Sequence, residues 1–153
     1  MKTEGIIYPE LSYEIMGAIY EVHNALGPGF LEGIYQEALM RELEMRHIPF
    51  EREKTVTVTY KGHVVGIHRL DIIVDNKIIL ELKAVSALND TFKQQLKSYL
   101  KATRLQLGIL VNFGSTRVEY TRIVNQKANQ AKDAPWLHSP HSPIRFIRDF
   151  SVL

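Results

Sequence analysis

From Ser12 to Leu26 the residues Ile15, Met16, Ile19, Val22, His23 and Leu26 recur at helical spacing, and Gly27-Pro28-Gly29 then halts the run. This pattern predicts a first helix. A second is expected from Leu31 to Arg46, with Tyr35, Leu39 and Leu43 on its apolar stripe and Glu37, Arg41 and Glu44 turned largely away. After Pro49 the period falls to two: Val56, Val58 and Tyr60 alternate with threonines before Lys61-Gly62 marks a turn. The next extended run, His63 to Val74, is separated by Asp75-Asn76-Lys77 from another, Ile78 to Val85, which predicts a meander of three antiparallel strands. Asn89 or Asp90 can cap a third helix reaching Ala102, with Phe92, Leu96 and Tyr99 inward and Lys93, Lys97 and Lys101 outward. Leu105 to Phe113 reads as a buried strand, which a right-handed crossover places parallel to the Ile78 strand; Arg117 to Val124 is the last strand. The expected fold is α/β, a mixed central sheet flanked by helices.

The pattern ends near Val124. Residues 1–124 are expected to form one domain and 125–153 a C-terminal tail, partly packed or flexible, which Trp136, Phe146, Ile147 and Phe150 could anchor. At 153 residues, 45% hydrophobic and 24% charged, the composition is that of one globular domain with a real core. No apolar run approaches the roughly 20 residues of a membrane span, and Met1 to Ile7 lacks the apolar stretch of a secretory leader. The expectation is therefore a cytoplasmic protein without a membrane partner. The absence of cysteine excludes disulfides and thiolate metal sites, so any metal must be held by oxygen or imidazole. A net charge of +2 argues neither for nor against nucleic acid.

Candidate chemistry lies where charge interrupts apolar strands. A three-residue loop at Asp75-Asn76-Lys77 pairs Val74 with Ile78, Ile73 with Ile79, Ile72 with Leu80, and Asp71 with Glu81. Asn76 suits the left-handed conformation such a loop needs. In this register Asp71, Glu81 and Lys83 converge on one face; a two-residue loop would separate the two acids. Facing carboxylates repel unless one takes a proton or both share a cation, and Mg2+ or Mn2+ accepts such oxygens, with the Leu82 carbonyl as a further donor. Lys83 could then orient or deprotonate a water, or stabilise a phosphorane-like transition state. The plainer reading makes Glu81 and Lys83 a solvated face of an edge strand. Glu32 lies in line with Leu39 and Leu43 on the core-facing stripe of the second helix, with Gln36 beside it. Alternatively, Glu32 simply complements the helix dipole in the first turn. Gln95 and Tyr99 share the inward side of the third helix, where an amide–hydroxyl pair could be structural.

Taken together, Gly29-Phe30-Leu31-Glu32-Gly33-Ile34-Tyr35 resembles the Gly-x-x-Glu-x-x-Tyr signature of the GxxExxY family, placed in the PD-(D/E)XK nuclease superfamily. Asp71 with Glu81-Leu82-Lys83 resembles the Asp…Glu-x-Lys core, and Gln95-x-x-x-Tyr99 resembles the Gln-x-x-x-Tyr element of exonuclease-like branches. The resemblance spans Leu11 to Val124; Ile72 follows Asp71 and no proline precedes it. It implies a restriction-endonuclease-like core and a metal-dependent nuclease acting on nucleic acid, with DNA the first expectation. Asp71, Glu81, Lys83, Glu32 and Gln95 are the implied catalytic set, and Asp71, Glu81, Leu82 and Glu32 the implied metal donors. Tyr99, Lys93 and Lys97 are the expected substrate contacts. The alternative is a catalytically silent nucleic-acid-binding module that retains the site.

Lys93, Lys97, Lys101, Arg104, Arg117, Arg122, Lys127 and Lys132 make the second half locally basic, which suits a duplex backbone but, without the neighbouring site, reads first as an ordinary solvated face. His138 and His141 form a poor ligand set among prolines. His63 and His68 are set aside, His68 being expected to point away from Asp71. The sequence leaves the oligomeric state open, a homodimer being possible but so far unsupported.

Overall fold

A computed structural model describes residues 7–127. The expectations for the tail, including Trp136, Phe146, Ile147, Phe150, Lys132, His138 and His141, lie outside the described residues. Helices α1 (Pro9–Leu26) and α2 (Glu32–Met45) precede strands β1 (Phe50–Tyr60), β2 (His63–Val74) and β3 (Ile78–Lys83); helix α3 (Asp90–Thr103) precedes β4 (Leu107–Asn112) and β5 (Glu119–Val124). The strands lie in chain order in one sheet, antiparallel throughout except for the parallel pair β3–β4. This is the α/β, restriction-endonuclease-like architecture expected from the alternation of periods.

The helices cover both faces. On one side Ile15, Ile19 and Val22 of α1 and Tyr35, Leu39 and Leu43 of α2 pack on Ile72, Val74, Ile78, Leu80, Leu82 and the odd-numbered residues of β4. On the other, Leu96, Tyr99 and Leu100 of α3 pack on Leu70, Ile73, Ile79 and Leu110. Strands covered on both faces must be apolar on both, which is why β4 reads Leu-Gly-Ile-Leu-Val-Asn and is buried throughout. Gly108 permits the close approach of α3: a Cβ there would meet Leu96 Cδ1 at 2.8 Å.

The meander has the expected register, Val74 on Ile78, Ile73 on Ile79 and Ile72 on Leu80. Asp75 and Asn76 both take left-handed conformations, with φ of 50° and 53°, and the Lys77 N–H closes on the Val74 carbonyl at 2.9 Å. The third strand is shorter than its apolar pattern, ending at Lys83 instead of Val85. The cause is Asn112, fully buried, whose side chain accepts from the Val85 N–H and donates to the Val85 carbonyl, both at 2.9 Å. These bonds occupy the groups that would extend β3. No helix among the described residues is long and apolar enough to cross a membrane.

Candidate active site

The pairing of β2 with β3 stops at Ile72–Leu80, one step before Asp71 would face Glu81. There Asp71 Oδ2 accepts the Leu82 N–H at 2.8 Å. The side chain thus takes the place of a main-chain acceptor and brings its carboxyl to the edge of β3. In a strand the N–H and C=O of one residue point to the same edge, so the Leu82 carbonyl also faces the gap. Opposite Asp71, β1 is irregular as well: Glu53 is left-handed (φ 50°), and the ladder passes from Arg52–Ile72 to Lys54–Leu70 without it. At this step the sheet faces exchange, for Ile72 lies on the α1–α2 side while Leu70, two residues earlier, packs on the α3 side.

Glu81 is 4% exposed, its Oε1 3.7 Å from Lys83 Nζ and its Oε2 buried without a hydrogen-bond partner among the described residues. Burial, and then the charge of Asp71, push the Glu81 carboxyl up to about 8, while Lys83 opposes the shift. Burial raises Asp71 too, against the Leu82 N–H, Lys83 and a hydrogen bond with Glu81, all of which favour its anion. Glu81, with less compensation, is the member that carries the proton near neutrality. Lys83 is held from the other side by the Phe92 ring of α3, 4.7 Å below its ammonium.

Glu32 begins α2, and its placement follows from Tyr35. The Tyr35 ring is buried and stacked on Phe113 with centroids 4.8 Å apart. Its hydroxyl donates to the Gly27 carbonyl at 2.5 Å and accepts from the Phe30 N–H at 3.2 Å. These bonds fix the turn in which Gly27 and Gly29 take positive φ, 67° and 112°. Glu32 is exposed at its outer side, contrary to the core-facing position expected from the stripe, because it is the first helical residue and stands at the sheet's end. Its carboxyl is nonetheless raised, first by partial loss of solvent and then by the charge of Asp71, with Lys83 opposing. Gln36, one turn on, donates to the Asp71 carbonyl at 3.3 Å and ties α2 to the same strand.

Of the α3 residues, Tyr99 is buried and its hydroxyl is pushed up to about 12 by burial, then by the charges of Glu81 and Asp71. Gln95 is exposed, with no side-chain hydrogen bond among the described residues, so the pair expected with Tyr99 does not form. Lys97 is exposed; Lys93 is half-buried, 3.8 Å from Asp90, and not fully outward as expected. Arg104, Arg117 and Lys127 are exposed, whereas Arg122 is half-buried and donates to the Ile7 carbonyl at 3.0 Å.

Strict alternation misplaces His68. The face exchange at Asp71 sets its ring against Tyr99, 4.5 Å away, with Ser98 Oγ at 3.3 Å from Nε2, one ring removed from the acid pair. Phe92 as the seat of Lys83 and Asn112 as the stop of β3 carry no signal in the sequence, since each depends on a neighbour far along the chain.

A mixed sheet with helices on both faces, and an Asp…Glu-x-Lys set where β2 and β3 part, define a restriction-endonuclease-like protein. A profile of the PD-(D/E)XK nuclease superfamily matches residues 9–123, three quarters of the chain, and the chain belongs to that superfamily. Among solved structures the chain is similar to SSO0001, at 21% sequence identity and a TM-score of 0.48, over 84% of this chain and 67% of that one. No curated protein matches.

Proposed function

We propose that this chain is a metal-dependent nuclease of the GxxExxY branch that hydrolyses phosphodiester bonds in nucleic acid, with DNA as the substrate. The observation that carries the reading is the convergence of Asp71, Glu81 and Lys83 where β2 and β3 separate, with Glu32 of α2 close enough to be perturbed by Asp71. Superfamily membership supports nuclease chemistry, and a chain without cysteine suits a reducing cytoplasm.

The residues suit a hard divalent cation such as Mg2+ or Mn2+. Among the described residues, two neighbouring carboxyls with raised proton affinity, one with a buried oxygen lacking a partner, face a single ammonium. Among the described residues no three Asp, Glu or His side chains form a ready-made cage; an ion such as Mg2+ would take one or two protein carboxylates and complete its shell with water and phosphate. Asp71, Glu81 and the Leu82 carbonyl would hold it, with Glu32 at the outer side. When bound, the ion would supply charge neutralisation at the phosphate and a more acidic water.

The chain's own part is orientation and charge. Lys83, fixed between Glu81 and Phe92, holds the attacking water or the developing negative charge on the phosphate. Glu32, partly in solvent, can take up a proton from that water because its carboxyl is already raised. Tyr99 stays protonated at physiological pH, so its hydroxyl is a donor for a phosphate oxygen. Gln95, Lys93 and Lys97 line the same helix as outer substrate contacts.

The deciding experiment incubates labelled single-stranded, double-stranded, branched and RNA substrates with Mg2+, Mn2+ or chelator, with Lys83→Ala alongside. Metal-dependent cleavage lost in the variant is the expected result. Salt-sensitive binding with no nicking under any condition would sink the catalytic reading and leave a silent binding module.

A further inference from the structure

The β1–β2 hairpin outgrows the sheet that carries it. β3 pairs with β2 only over Ile72–Val74, whereas β1 and β2 stay paired out to Tyr60–His63. Val56 and Leu70 are the last buried residues of the hairpin, packed against α3. Beyond them the ribbon exposes Tyr60, Val64, Val65 and Ile67, each more than 60% open to solvent. β1 is also the outermost strand, and among the described residues nothing pairs with its free edge.

Free edges are ordinarily guarded by charge, proline or a bulge, because unpaired N–H and C=O groups template further strands. From Thr55 to Tyr60, β1 reads Thr-Val-Thr-Val-Thr-Tyr, with no charged residue and no proline. The irregularity between Val58 and Thr59 does not guard it either. Those residues face Gly66 and Val64, so the extra residue, Val65, belongs to β2 and the outer strand runs unbroken.

We propose that this edge pairs with the same edge of a second copy of the chain, antiparallel about a two-fold axis through Thr57. The sequence is a palindrome around that residue. Thr55 then faces Thr59 of the partner, Val56 faces its Val58, and Thr57 faces its own equivalent, which satisfies the self-complementarity an isologous contact requires. The threonines are exposed on one face, and Val56 with the half-buried Val58 continue the apolar face over α3. A polyanion fits this edge poorly, since no lysine or arginine lies between Thr55 and Tyr60 and the tip adds only Lys61 and His63. Pairing joins the two sheets into one and covers the β1 edge of each copy.

The test uses the full chain. Light scattering after gel filtration should give twice the chain mass of 17.6 kDa, and Thr57→Lys, at an exposed position, should halve it with an unchanged circular dichroism spectrum. Because the chain has no cysteine, Thr57→Cys introduces a lone thiol that should form a covalent dimer on mild oxidation. Thr55→Cys and Thr59→Cys should cross-link to each other when mixed but neither to itself, which fixes the register even if Thr57→Lys folds poorly. A monomeric wild-type chain overturns the proposal, as does a dimer that the cysteine pairs fail to trap.

Discussion

Asp71 accepts the Leu82 N–H through its side chain at 2.8 Å, where the regular ladder would have set Asp71 opposite Glu81 main chain to main chain. The strands therefore part at the residues that carry the charge, and the β2–β3 ladder ends before the Leu82 carbonyl, which lies beside two carboxyls. A ladder continued by one more pair would bury both acids in a closed sheet with nothing to neutralise them. The separation is what makes the pair usable.

Lys83 is the least replaceable member of this arrangement, because among the described residues no other cation touches Glu81. Lys83→Ala should reduce Mg2+-dependent cleavage by about a thousandfold, the scale of losing one preorganised charge-stabilising group, while the melting temperature stays close to that of the wild type. Single-turnover cleavage of a labelled duplex, with calorimetry of the same preparation, measures both. Cleavage within a fewfold of wild type would remove Lys83 from the mechanism.

Glu81 ought to trade stability for function. Its Oε2 is buried without a partner among the described residues and its carboxyl is pushed up to about 8, so the metal-free fold keeps it against a desolvation penalty. Glu81→Gln removes the ionisable group while keeping a donor for Asp71. With the penalty of ionising a buried carboxyl gone, the metal-free protein should be stabilised by about 1 kcal/mol, the lower end of the cost of an incompletely paired buried polar group. Mg2+ should raise the melting temperature of the wild type and leave that of this variant unchanged. A thermal-shift series with and without Mg2+ reads both effects, and an undiminished Mg2+ shift would show that the ion does not need Glu81.

Much of this was legible in the chain. Asp75-Asn76-Lys77 fixed the meander's register because a loop of given length and left-handed residues allows few pairings, and that register aims Asp71 at the strand of Glu81 and Lys83; the predicted Asp71–Glu81 pair itself is replaced by the bond from the Leu82 N–H to the Asp71 side chain. What escaped were departures from regular periodicity. The left-handed Glu53 and the face exchange at Asp71 carry His68 to Tyr99, although simple alternation sends it elsewhere. Helical phase put Glu32 on the core stripe, but a first-turn residue at the end of a sheet has no core above it. Gln95 failed in the same way: its phase faces inward, yet α3 leaves it in solvent.

Tyr35 links the fold to the site through one hydroxyl. Tyr35→Phe keeps the ring on Phe113 but removes the bonds to the Gly27 carbonyl and the Phe30 N–H that set the start of α2. The expected loss is about 1 kcal/mol of stability, with cleavage reduced about tenfold, equivalent to a further 1.4 kcal/mol at the transition state. If the effect travels through Glu32, then Tyr35→Phe should add little to Glu32→Gln. Additive losses in that double-mutant cycle would separate the tyrosine from the acid.

Glu51 offers a pH readout outside the site. It is 3% exposed on β1, both its oxygens lack hydrogen-bond partners among the described residues, and Lys54 reaches one only at 3.9 Å. Burial raises its carboxyl above the ordinary 4.5, with Lys54 opposing. A raised folded-state value means that the folded chain binds the proton more tightly than the unfolded chain does. The associated stability is therefore complete below pH 4.5 and is lost as pH climbs through the folded value. Glu51→Gln, which cannot ionise, should match the wild type in acid and exceed it at neutral pH by about 1 kcal/mol, the lower end of the penalty for a buried group without partners. Urea titrations from pH 4 to pH 8 test the sign, and a gap that narrowed with rising pH would mean that Glu51 is stabilised as the anion by a partner.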